Sequence, residues 1–184
     1  PNASWNSGQG HWKLGFPDSF EILNPESDDS VNHILHGKPT KSQYQQTSQD
    51  PNPIRVEAGE TYTLSFDYKD KNFTSDFNTM ILRVFDFEKP EDAAGYDPST
   101  GKVNGGDPTS QSNSNWYKNL STKDLGMSGG VSEFKRFSYT FTPSKSGWLN
   151  VIPYDSDTTG NHESFWRKLQ VEKGSTATDW EDTK

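Results

Sequence analysis

The chain has 184 residues, enough for one full-sized domain, and it is polar: hydrophobic residues make up 28%, the mean hydropathy is −1.00 and the formal net charge is −8. The absence of cysteine excludes disulfide frameworks and thiolate metal sites, no apolar run approaches the ~18 residues of a membrane span, and 18 scattered Lys and Arg among 26 carboxylates argue against a nucleic-acid partner. This balance leans towards disorder, but six Trp, seven Tyr and eleven Phe recur at regular spacing and bury large areas per residue, so a compact core is expected.

The opening PNASWNSG lacks the pattern of a signal peptide and reads as an internal piece of a longer polypeptide. FPDSFEIL, VNHILHG and SQYQQT are short strand candidates, each bounded by Pro, Gly, Asn or Asp. In ETYTLSFDYKD, Tyr62, Leu64, Phe66 and Tyr68 alternate with Thr61, Thr63, Ser65 and Asp67, which predicts a strand with one core face and one wet face. TMILRVFDFE is apolar on both faces, as a central strand would be, with Leu82 and Val84 opposite Arg83, Phe85 and Phe87. Residues 88–130 are rich in Gly, Ser, Asn, Asp and Pro and are expected to form one long connection, mobile or functional, in which SNWYKNLSTKDL has room for one short helical turn at most. FKRFSYTFT predicts a strand with Phe137, Tyr139 and Phe141 inward and Arg136, Ser138 and Thr140 outward. After the turn PSKSG, WLNVIPYD sets Leu149 and Val151 against Trp148, Asn150, Ile152 and Tyr154. The last strand, SFWRKLQV, places Phe165, Leu169 and Val171 on one face at period two, and Trp166 beside Lys168 and Gln170 on the other. No segment shows a 3.6-residue period over ten or more positions. The reading is therefore all-β, with about seven to nine short strands in a two-sheet sandwich.

Read together, these segments resemble the jelly-roll carbohydrate-binding modules. NASWNSGQGHWKL resembles the family's N-terminal signature, VEAGETYTLSFDYK its central strand, FKRFSYTFTPSKSG its late hairpin and FWRKLQVEKGSTATDW its closing strand. The closing form is similar to modules in tail and baseplate proteins of phages infecting Gram-positive bacteria. The resemblance covers most of the chain outside residues 88–130. It implies a jelly-roll β-sandwich of two antiparallel sheets, with residues 1–184 forming a single module that binds cell-surface polysaccharide or oligosaccharide without catalysis. Its other implied partners are neighbouring domains of a larger tail protein on the virion, with no nucleic acid and no membrane insertion. The resemblance also implies that Trp180 packs back on the sandwich near the N-terminal segment. Where the family often has an Asp on the closing strand that helps hold a structural calcium, this chain has Arg167.

Signals for catalysis are weak. His11, His33, His36 and His162 are dispersed, and the odd separation of His33 and His36 puts them on opposite faces of a strand. GYDPSTGK has the wrong glycine spacing for a phosphate loop, and Val103 stands where a hydroxyl is needed. Glu26, Asp28 and Asp29 belong to a solvated turn. DSDTTG, from Asp155 to Gly160, begins like a calcium loop, but Trp166 at its twelfth position excludes an EF-hand and leaves only a loosely held ion. No cofactor is expected.

Sugars present flat C–H patches ringed by hydroxyls, so a site for them combines an aromatic face with planar polar groups. Outward positions offering this mixture are Arg83, Phe85, Arg136, Asn150, Tyr154 and Trp166. Trp116 and Tyr117, adjacent in the polar loop, either anchor that loop or project into a groove, and Tyr96 shares the ambiguity. Two other readings stay open. One is a structural or interaction module without glycan binding, and the other is a module appended to a glycoside hydrolase, whose two facing carboxylates the sequence cannot place.

Overall fold

The computed structural model describes residues 3–4, 12–13, 20–23, 34–38, 45–46, 48–49, 54–157 and 159–180. Its strands in chain order are β1 (Ala3–Ser4), β2 (Trp12–Lys13), β3 (Phe20–Leu23), β4 (Ile34–Gly37), β5 (Gln45–Gln46), β6 (Ser48–Gln49), β7 (Ile54–Val56) and β8 (Tyr62–Lys71). They continue with β9 (Asn78–Phe85), β10 (Tyr96–Asp97), β11 (Lys102–Val103), β12 (Trp116–Ser121), β13 (Lys135–Phe141), β14 (Gly147–Asp155) and β15 (Glu163–Lys173). Helical structure among the described residues is limited to two 3₁₀ turns, Pro90–Asp92 and Gln111–Asn113.

Two antiparallel sheets make the sandwich. The six-stranded sheet runs β13-β8-β15-β4-β3 with β1 on β15, and the five-stranded sheet runs β12-β9-β14-β5 with β7 on β14. From β12 onward the long strands alternate between the layers, β13 and β15 joining β8 in one and β12 and β14 joining β9 in the other, so most neighbours in each layer are distant in sequence. The alternation read from the sequence holds for most of them. Leu64, Phe66 and Tyr68 of β8 meet Met80, Leu82 and Val84 of β9, with Phe137, Phe141, Leu149 and Val151 closing the same core.

Two of the sequence readings are corrected. SNWYKNLSTKDL is not a helical turn within one long loop: Trp116–Ser121 is the edge strand β12, paired with β9 from Val84 to Asn78. Trp116 faces inward and stacks on Phe141 with centroids 5.9 Å apart, and Leu120 is buried. The second correction concerns β15. Its register with β8 shifts between Arg167 and Gln170, and Lys168 there adopts a left-handed backbone, φ 53°. This β-bulge reverses the in–out order of everything before it. Trp166 therefore lies in the core, fully buried, with Phe20 and Tyr68 at ring distances of 6.0 and 5.7 Å, while Phe165 turns to the outer face beneath His36, stacked at 4.4 Å. Gly37 leaves room for that indole, since a Cβ there would meet Trp166 Cζ3 at 3.2 Å. Arg136 holds the bulge: its Nη1 donates to the Lys168 carbonyl at 2.6 Å and to Asp67 Oδ1 at 3.2 Å, and its Nη2 donates to Ser65 Oγ at 2.8 Å.

A buried polar tie joins the sheets at one end. His162 donates from Nδ1 to Asp155 Oδ2 at 2.7 Å and from Nε2 to Asp70 Oδ2 at 3.0 Å. Ser164 Oγ also donates to Asp155 Oδ2, at 3.0 Å, and bonds the Tyr68 hydroxyl at 2.9 Å. Burial alone would lower the His162 pKa, but its hydrogen bonds and charge attraction to Asp155 and Asp70 outweigh that and raise it to about 9. The ring is thus an imidazolium at neutral pH; against its burial, the pKa of nearby Asp157 is lowered by hydrogen bonds from Thr159 and, to a smaller extent, by this charge. Asp155 and Asp157, the acidic positions of the calcium-like stretch, are engaged here, the latter accepting from Thr159 N and Thr74 Oγ1. Trp180 is half-buried, with its indole Nε1 closed off from solvent. The segments around His11, His33, Glu26, Asp28 and Asp29, and most of the N-terminal signature, lie outside the described residues.

Two outcomes are expected. Trp166→Ala should cost about 3–5 kcal/mol in denaturant unfolding, the price of an aromatic-sized cavity beside Tyr68 and Phe20. Because the His162 pKa is raised on folding, its contribution is complete below about pH 6.5 and fades as pH rises through about 9. Thermal stability of the parent should accordingly fall across that window, whereas His162→Gln should be less stable at pH 7 and show a flatter dependence between the same limits.

Candidate functional site

The outward face of the five-stranded sheet gathers most of the polar–aromatic mixture. Register places Tyr117, Arg83 and Asn150 side by side on β12, β9 and β14. Neighbouring strands lie about 4.8 Å apart, so these three side chains form one row across the sheet. The next row on one side is Phe85, Trp148 and Arg55, and on the other Asn119, Ile81 and Ile152. Tyr117 is 48% exposed, whereas Arg83 and Asn150 are nearly buried at 7% and 8%, so the row runs from a wet ring into a more enclosed polar pair.

Each member is positioned by its surroundings. Arg83 Nη1 donates to the Thr109 carbonyl at 2.8 Å, which docks the long connection beside the row. Burial lowers the Arg83 pKa, opposed by the charges of Asp107 and Tyr154. Trp148 is half-buried with the Arg55 guanidinium 5.8 Å from its ring, and Phe85 lies against Phe87 at 5.2 Å. Tyr154 packs with Ile81 and Ile152 in a small apolar cluster on this same face.

The connection itself is ordered by short polar turns. Asp97 accepts from Ser99 N at 2.9 Å, Ser99 Oγ at 2.7 Å and Thr100 Oγ1 at 2.9 Å, and Asp107 accepts from the N and Oγ1 of Thr109, both at 2.8 Å. Asn113 Nδ2 donates to the Asp107 carbonyl at 2.9 Å, and Asn115 N to the Val84 carbonyl at 2.8 Å. The side chains of Asp97, Asp107 and Asn113 are thus engaged within the connection itself, by its own backbone and hydroxyl groups. Tyr96 sits half-buried in the β10–β11 hairpin, opposite Val103.

Of the candidates named from the sequence, Arg83, Phe85, Tyr117, Asn150 and Tyr154 share the face, and Tyr96 belongs to the hairpin of the connection. Trp116 is turned inward by strand alternation and packs, partly buried, against the core, and Trp166 is withdrawn into the core by the bulge. Arg136 lies on the outer face of the opposite sheet, held by Asp67, Ser65 and the Lys168 carbonyl. Sequence reasoning missed Arg55 and Asn119. Asn119 follows Tyr117 at period two, a signal that appears once WYKNLS is read as a strand, and its Oδ1 is buried without a hydrogen-bond partner.

No family model matches the chain. It is 36% identical over 182 residues to the tail fiber protein of Enterococcus phage phiEF24C; the match takes in 98% of this chain but spans only 9% of that protein's length. Among solved structures it is similar to a family 16 carbohydrate-binding module, with a TM-score of 0.51 and 7% identity, covering 92% of this chain and 98% of that one. It is also similar to the CBM22-1–CBM22-2 tandem domain of Paenibacillus barcinonensis Xyn10C, with a TM-score of 0.52 and 12% identity, covering 95% of this chain and 49% of that one. The chain thus has the jelly-roll β-sandwich fold of carbohydrate-binding modules, in a sequence similar over nearly its whole length to a segment of a phage tail fiber protein.

Proposed function

We propose that the chain is a non-catalytic module that binds carbohydrate on the outer face of its five-stranded sheet and, within a phage tail or baseplate protein, adheres to polysaccharide or oligosaccharide of the host surface. The row Tyr117–Arg83–Asn150 carries this reading. A half-exposed ring lies beside a guanidinium and a carboxamide on adjacent strands, which suits a sugar that stacks its C–H face on the ring and offers hydroxyls to the planar polar groups. Trp148 extends the aromatic surface one row along, and Arg83 is steadied by the Thr109 carbonyl, so the donors are held by a rigid sheet. The solved modules of the same fold and the tail fiber relative support the assignment. This reading needs no cofactor and no acid–base pair. A single site of this size binds weakly, and repeated copies on a virion raise avidity.

Tyr117→Ala should reduce retention on purified host cell-wall polysaccharide by about tenfold, equivalent to about 1.4 kcal/mol, with an unchanged melting temperature because the ring lies outside the core. Asn150→Ala should act in the same direction. Retention of both variants at the parental level would sink the assignment, and release of new reducing ends from the polysaccharide would favour a hydrolase instead.

A further inference from the structure

The outer face of the six-stranded sheet carries a ladder of cations and rings that the carbohydrate row does not use. Arg167 Cζ lies 4.0 Å from the Phe134 ring centre; Lys69 Nζ lies 4.8 Å from Phe134 and 5.1 Å from Phe165; and Lys71 Nζ lies 5.6 Å from Phe165. Lys69 and Lys71 leave β8 on the same side, about 6.6 Å apart along the strand. Among the described residues neither ammonium enters a salt bridge, although Glu163 faces Lys71 across the strand pair. Glu163 is instead directed to His36 Nε2 at 2.9 Å, and Glu21 to His36 Nδ1 at 2.7 Å. Next along the face, Asp67 alone serves Arg136 at 3.2 Å, Arg167 at 3.1 Å and Lys168 at 4.0 Å. Lys69, Lys71, Arg136, Arg167 and Lys168 thus form a locally cationic strip on a chain whose net charge is −8.

Ring contacts of this kind orient a lysine without neutralising it, leaving its N–H groups available to a second acceptor. Lys69 and Lys71 follow one another along β8, and Arg136, Arg167 and Lys168 of β13 and β15 gather around Asp67 next to them, so the cations are drawn out along the face, which suits a chain of anions more than a single small ion. We propose that this strip is a second binding site, for a linear polyanionic glycan or polyol chain whose phosphate or carboxylate groups lie along Lys69 and Lys71. It occupies the sheet opposite Tyr117 and does not depend on the carbohydrate row.

The test uses immobilised poly(glycerol phosphate) and polygalacturonate as phosphate and carboxylate probes, with single-stranded DNA as a third matrix. The parent should be retained on at least one of the first two, and retention should fall by about tenfold or more between about 0.05 and 0.5 M NaCl. The matrix that retains it identifies the anion. Lys69→Gln/Lys71→Gln should lose about tenfold in retention at low salt, whereas Lys89→Gln/Lys102→Gln, which removes the same charge from exposed positions elsewhere, and Tyr117→Ala should bind like the parent. The proposal fails if neither polymer retains the parent at low salt, if the first double variant matches the parent, if the control pair or Tyr117→Ala loses as much, or if DNA is retained more strongly than both polymers.

Discussion

In β15, the extra residue accommodated between Arg167 and Gln170 decides which side of the six-stranded sheet each of its rings occupies, and both layers are arranged around the result. With Trp166 turned inward, the core gains its largest fully buried side chain, seated between Tyr68 and Phe20 and opposite a glycine that yields the space. A left-handed backbone at a lysine is unfavourable, and it is held because Arg136 binds the Lys168 carbonyl while anchoring itself on Asp67 and Ser65. The guanidinium is therefore a structural clamp on the strand, with three of its N–H groups bound to Lys168, Asp67 and Ser65.

The same bulge gives the two outer faces different chemistry. Before it, Phe165 emerges under His36 and beside Lys69 and Lys71, and after it the outward positions are polar. The opposite layer has no such inversion between Ile81 and Phe85, so β9 presents Ile81, Arg83 and Phe85 in uninterrupted alternation, flanked by β12 and β14 in register. One face is thus an apolar surface with a few enclosed polar groups and one wet ring, and the other is a charged surface laid over rings. Sugar hydroxyls and C–H patches suit the first, and repeated anions suit the second.

Between the layers, His162 serves as a buried cation shared by two carboxylates, one from each sheet. An isolated charge in that position would be costly, and it persists because Asp70, Asp155, Ser164 and Tyr68 complete one another's hydrogen bonds. The tie also uses the carboxylate of Asp155 that the linear pattern offered to a calcium ion. Asp155 closes β14, and His162, seven residues on, is hydrogen-bonded to that carboxylate.

The sequence by itself determined the all-β class, the inward sets of β8, β13 and β14, and the outward placement of Arg83, Phe85, Asn150 and Tyr154. Period-two alternation of rings and hydroxyl residues leaves a strand only one way to face a core. It could not reveal that Trp116 and Leu120 belong to an edge strand, because the polar residues between them match a loop as well as a half-covered strand, and pairing with β9 makes the difference. Nor could it place Trp166. A bulge adds one residue to the count without a marker in the local composition, and its position is decided by Arg136 and Asp67, which lie 32 and 100 residues from Lys168 and Arg167, the residues they hold.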